Sequence, residues 1–182
     1  MKDTPQRFSH ITISLHWLVG LTIIGLLAVG LYMANLEKTG PEDYALYPIH
    51  KSVGVIIFAF VLIRAVWRLM NGWPVPTGNH QAWEIGLAKV SHWVLLLGSI
   101  LMPLSGITMS AAGGHGVAVF GIQLIAPTDD KIPALAGLAH EAHEIIGFIL
   151  IATVILHVAG ALKHHVLDGD GTLKRMLGVK VG

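Results

Sequence analysis

The stretch EIIGFILIATVILHVAGALK, residues 144–163, decides the fold. Between Glu144 and Lys163 run 18 uncharged residues, nearly all apolar, with one histidine, His157, among them. A helix needs roughly 20 apolar residues to cross the hydrocarbon core of a bilayer. An open strand cannot satisfy its backbone in lipid, so each crossing is helical. Outward from this stretch the same pattern recurs. No Asp, Glu, Lys or Arg lies between Arg7 and Glu37, or between Lys89 and Asp129. Pro48 to Leu69 is interrupted only by Lys51, Arg64 and Arg68. Four spans follow, at about residues 10–35, 49–70, 89–110 and 140–165. The expected fold is an all-α, integral membrane four-helix bundle, one domain over residues 1–182.

Composition agrees. Charged residues are 13 % of the 182 and the apolar set is 53 %, where soluble domains carry about 25 % charged residues. The mean hydropathy is +0.66. The chain has no cysteine, which excludes disulfides, thiolate zinc sites, cysteine-held iron–sulfur clusters and covalent c-type haem attachment. A net charge of +1 gives no case for a nucleic-acid partner. The unusual count is 11 histidines, since polar groups inside a membrane are costly and tend to be functional.

Turn chemistry separates the spans. Lys38 to Asp43 links the first two, and Asn71 to Asn79, rich in glycine and proline, follows the second. The third connection, Ala111 to Ala139, holds an apolar centre, Val117 to Ile122, too short to cross and expected at the interface or on the bundle. The first run is too long for a signal-peptide core and is read as a retained helix. Four spans put both termini on one side. Nine Lys and Arg, among them Lys2, Arg7, Arg64 and Arg68, fall on that side, against Lys38, Lys51 and Lys131 on the other. The positive-inside rule then places the termini in the cytoplasm. The acids divide the other way, leaving about −4 outside and about +5 inside.

His143 and His157 are 14 residues apart on the fourth span. At about 100° and 1.5 Å per residue they share a face and stand about 21 Å apart along it. His16, inside the first span, matches the depth of His157. His50, opening the second, matches His143. Facing histidines across a bundle core are the axial ligands of a haem, so the pairs His16–His157 and His50–His143 predict two b haems. A flat macrocycle needs a small neighbour one turn on, and Gly20, Gly54, Gly147 and Ala161 stand at +4 from the four.

The other histidines are read differently. His10, His80 and His115 are expected to be solvated or interfacial, and His140 to lie on the rim. His92 is a hydrogen-bonding or core residue. His164, one heptad below His157, lies where it could touch a propionate or a quinone, so His164 and His92 are the quinone candidates. Arg64, Arg68 and Lys163 either snorkel to headgroups or pair with propionates.

Ile13-Ser14-Leu15-His16-Trp17, Ile49-His50-Lys51-Ser52-Val53-Gly54, and His143-Glu144 with Leu156-His157 resemble the bacterial cytochrome b561 family. So do Leu162-Lys163-His164-His165 and Asp170-Gly171-Thr172-Leu173-Lys174-Arg175-Met176. The similarity runs in order through nearly the whole chain. It implies a four-helix bundle with two b haems on the four paired histidines, and electron exchange with the quinone pool, ubiquinone being the expected substrate. Superoxide oxidation at the outer face is an activity associated with the family. More distantly it resembles the cytochrome b subunits of hydrogenases and formate dehydrogenases.

Three functions are thereby distinguished. A stand-alone electron carrier needs two bis-histidine haems, a lipid-soluble quinone partner, and superoxide or a redox protein as donor. A cytochrome b anchor of a multi-subunit respiratory dehydrogenase would copurify with a soluble subunit. A metal transporter would cluster its ligands at one depth with carboxylates in the spans, whereas here they lie at two depths and the spans lack acids.

Overall fold

The computed structural model describes residues 3–37, 39–74, 76–78 and 80–181. Lys2 and Lys38 of the charge count, and Val75 and Asn79 of the second connection, lie outside the described residues. Four long helices are present: α1 His10–Asn35, α2 Leu46–Asn71, α3 Ala82–Ala112 and α4 Pro133–Val166, with a short α5 Thr172–Met176. Each long helix carries a span long and apolar enough to cross a membrane. Their outward faces are apolar and exposed, as at Leu21, Ile63, Phe148 and Ile155, which suits lipid and would be unfavourable in water. The all-α membrane bundle expected above is the fold observed.

The first span coincides with α1, whose N-cap Ser9 accepts from the Thr12 N–H. Helices α3 and α4 begin about two turns earlier than the charge-free runs suggest. At α3 the Glu84 carboxylate accepts the Gln81 N–H at 3.0 Å, closing the first turn. At α4 Pro133 takes the first turn, where its missing N–H costs nothing.

Helices adjacent in sequence pack on each other, while α1 and α4 meet at few places. Val19, Ile57 and Val61 form a buried cluster of α1 and α2, with Ile100 of α3 against it. The α3–α4 seam is the closest. A Cβ at Gly98 would lie 2.7 Å from the Leu150 Cδ2, and one at Gly147 would lie 3.3 Å from the Met102 methyl. Small residues that let helix backbones approach in this way are how membrane helices gain packing.

The apolar centre of the third connection is an antiparallel hairpin, β1 Val117–Val119 with β2 Ile122–Ile125. Its two-residue turn places Phe120 at φ 46° and Gly121 at φ 88°, the left-handed pair that matches strand twist. The Phe120 N–H donates to the Ser52 Oγ at 2.9 Å, which ties the hairpin to α2.

Both termini lie at one end of the bundle. The Val181 N–H donates to the Gln6 carbonyl, and the Trp17 Nε1–H to the Met176 carbonyl at 2.8 Å. The Asp3 carboxylate accepts from the Ser9 N–H at 2.9 Å and the Thr12 hydroxyl at 2.8 Å. Burial works against charge on Asp3, but those hydrogen bonds and the Arg68 guanidinium outweigh it and hold its carboxyl below the usual range.

Candidate functional site

Two pairs of histidines face each other inside the bundle. The His16 and His157 ring centres are 6.2 Å apart, across the α1–α4 seam. The His50 and His143 ring centres are 6.5 Å apart, between α2 and α4. An imidazole nitrogen sits about 2 Å from the metal it binds, so two rings on opposite sides of one metal have centres about 6 Å apart. The first pair lies toward the terminal end and the second toward the hairpin end. The spacing along α4 puts about 21 Å between them.

The surroundings of each ring decide which nitrogen is free. His143 Nδ1 lies 3.0 Å from the Met102 carbonyl and 3.1 Å from Ser105 Oγ. Donating Nδ1–H to that carbonyl leaves the Nε2 lone pair for a metal, the arrangement that orients most metal-bound histidines. Pro103, inside α3, removes one rung of the helix ladder at this level. The His50 Nδ1 is buried and has no hydrogen-bond partner among the described residues. His16 Nδ1 lies 3.4 Å from an Arg64 nitrogen. A guanidinium only donates, so this contact makes Nδ1 an acceptor. Ligation through Nε2 with Nδ1 protonated requires Arg64 to turn away.

Room beside the rings comes from glycine, only partly as the +4 rule expects. His50, His143 and Gly54 line two adjoining clefts. A Cβ at Gly54 or Gly20 would meet nothing within 4 Å. These features fit a flat group held between the rings. Gly147, by contrast, is turned to Met102 on α3. Gly106 and Gly30, which sequence reasoning missed, carry part of that duty. Their Cβ atoms would lie 3.2 and 3.4 Å from the rings of His143 and His50. They stand on neighbouring helices, so no spacing within a span marks them.

His92 belongs to the terminal-end site. Its ring is 5.5 Å from that of His157 and stacks on Trp73 at 5.8 Å, within 10° of parallel. His164 faces away, donating Nδ1–H to Asp168 at 2.7 Å and meeting the His80 ring at 4.3 Å. The two quinone candidates are thus in different surroundings. His80 is not solvated: its side chain is 7 % exposed. His10, His115 and His140 are exposed.

The three cations read as propionate partners separate as well. Arg68 is 3.5 Å from Asp3. Lys163 bonds Glu84, and Asp168 at 2.8 Å. Hydrogen bonds from Lys163 and His164 hold the Asp168 carboxyl below its usual range. Arg64 alone among the three has no carboxylate among the described residues, and it lies beside the His16–His157 pair.

A membrane four-helix bundle with facing histidines at two levels has the architecture of a b-type cytochrome. The comparisons name the particular family. Residues 7–179 match prokaryotic cytochrome b561, and the chain belongs to that family. It is 31 % identical over 176 residues to Cytochrome b561 homolog 2 of Escherichia coli, covering 97 % of this chain and 94 % of the relative. It is 30 % identical over 180 residues to the Probable superoxide oxidase CybB of Yersinia pestis, covering 97 % and 99 %. To Cytochrome b561 homolog 1 of Escherichia coli it is 29 % identical over 180 residues, covering 94 % and 97 %. The protein is therefore a multi-pass membrane cytochrome that binds haem b and serves electron transfer.

Proposed function

We propose that this protein carries electrons across a bacterial inner membrane, between the quinone pool and a donor at the hairpin end. His16 with His157 and His50 with His143 would hold two b haems, and the termini would face the cytoplasm. The observation that carries this is the pair of ring separations, 6.2 and 6.5 Å, at two levels of one bundle. Haem b supplies one-electron chemistry, and two imidazoles on each iron leave no position there for a small molecule.

The chain's own residues do the rest. Met102 and Ser105 fix the His143 ring. Arg64 supplies positive charge at the terminal-end pair. His92, held flat against Trp73 beside His157, and His164, beside a carboxylate, are the contacts proposed for a ubiquinone headgroup. Each can hold or pass a proton, as quinone reduction needs. Haem extraction from purified protein should give two haems per chain, with a reduced-minus-oxidised spectrum of low-spin b type. One haem per chain, or none, would overturn the assignment.

Superoxide is the donor proposed for the hairpin end, supported by the likeness to a probable superoxide oxidase. Lys51 is the one Lys or Arg among the residues lining the cleft at His50 and His143. Its Nζ donates to the Ser110 Oγ at 2.8 Å. A small anion is steered by such a charge against a net negative face. Lys51→Glu should slow haem reduction by generated superoxide about 2- to 10-fold at low salt. The difference should narrow as salt screens the charge. Stopped-flow absorbance measures both, and an unchanged rate would remove Lys51 from the path.

A further inference from the structure

Outside the two pairs, His80, His164 and Asp170 each offer a ligand atom within 4.8 Å of the other two. They come from three segments: the connection before α3, the last turn of α4 and the turn before α5. His80 Nε2 is 3.3 Å from the Asp170 Oδ2, and its Nδ1 is 4.0 Å from the Asp168 Oδ2. The side chains of His80 and Asp170 are 7 % and 5 % exposed, so the grouping is set into the fold. Gly78 turns the chain here at φ +107°, a conformation that favours glycine. The Thr77 and Thr172 hydroxyls meet at 3.1 Å beside it.

We propose that this cluster binds a divalent transition-metal cation of the zinc class, with His80, His164 and Asp170 as ligands. Two imidazoles and a carboxylate form a nitrogen–oxygen donor set suited to such a cation. Magnesium and calcium prefer oxygen alone. Each ring has one nitrogen already engaged. His80 Nε2–H donates to the Thr77 carbonyl at 2.9 Å, and His164 Nδ1–H donates to Asp168. His164 Nε2 keeps its lone pair, and the engaged Nδ1 fixes the ring, as outer partners do at metal-bound histidines; His80 Nε2, the nitrogen that faces Asp170, would exchange its bond to Thr77 for the cation. Donor atoms around a tetrahedral zinc stand roughly 3–3.5 Å apart, so side-chain rotations suffice to close the set. A bound cation would clip the α2–α3 connection to the α4–α5 corner.

This goes beyond the electron-transfer reading and shares only His164 with it. A titration without quinone therefore lets the two fail separately. Full-length protein purified with its haem is treated with chelator, then titrated with Zn²⁺ by calorimetry, with Mg²⁺ as comparison. The expected result is one saturable Zn²⁺ per chain and a raised thermal midpoint that chelator reverses. His80→Gln retains a donor for the Thr77 carbonyl, and Asp170→Asn retains an acceptor for the Thr172 N–H, which Asp170 now accepts at 2.8 Å. Each should weaken Zn²⁺ binding by more than the roughly 10- to 100-fold that loss of an outer partner alone costs, with the haem spectrum unchanged as a check on folding. His140→Ala, at an exposed position, should leave binding as it is. Binding that survives both His80→Gln and Asp170→Asn would overturn the proposal. So would the absence of saturable binding, which would make the cluster an ion-paired clamp only.

Discussion

His143→Ala is expected to leave one haem per chain where the unaltered protein carries two, and His157→Ala to do the same at the other level. The two histidines stand about 21 Å apart on one helix face, too far for one iron to use both. Each has its own partner, at 6.5 Å for His143 and 6.2 Å for His157. Loss of one ligand leaves His50 or His16 facing a methyl group. The surviving haem should keep its low-spin spectrum, and the two variants should lose different spectral components. Haem quantitation and low-temperature difference spectra read this directly. If either substitution removed both haems from protein that still inserts and retains its helical signal, the pairing would be wrong.

Gly98→Ala is expected to lower stability by about 1–3 kcal/mol, the usual cost of forcing extra volume into a packed interior. The new Cβ would lie 2.7 Å from one Leu150 methyl and 3.2 Å from its Cγ. Leu150 is only 1 % exposed, so it has nowhere to swing. Shortening the partner should relieve the strain. Gly98→Ala with Leu150→Val should be more stable than the sum of the two single changes predicts, the signature of residues in contact. Thermal denaturation in detergent, followed by helical signal and haem absorbance, measures it. Purely additive effects would show that the seam is looser than the structure has it.

Much of the fold was legible because lipid imposes one rule on every span. Absence of charge over about 20 residues is a signal carried by residues next to each other, and it located α1 to its ends. It failed at the starts of α3 and α4, since a helix need not stop where the bilayer does. Glu84 starts α3 by capping its first turn, and Pro133 starts α4 as a first-turn proline. The hairpin was present as alternation through Val117, Val119, Ile122 and Leu124 around Phe120-Gly121, but in so apolar a chain alternation is easily lost. The four paired histidines could be chosen by depth and face, both local properties of a helix. The separation of Arg64 from Arg68 and Lys163 could not. It depends on Asp3, Glu84 and Asp168, and Asp3 and Glu84 lie far from their partners in sequence. Of the two readings of His80, solvated or interfacial, its low exposure removes the first, and its neighbours His164 and Asp170 were out of view for the same reason, since they come from the far end of the chain.

The uneven seams also bear on how the molecule is made. Gly98 on Leu150 and Gly147 on Met102 pack α3 closely on α4, beside the His143 contacts to Met102 and Ser105 and the Lys163–Glu84 ion pair, while α1 meets α4 at few places, the His16–His157 level among them. The last two helices to leave the ribosome can therefore zip together at once. The first two pack on each other through Val19, Ile57 and Val61, with Ile100 of α3 against them, and set their histidine rings against those of α4. Biogenesis then has a natural order, in which the prosthetic group enters between the two helix pairs and its binding closes the bundle.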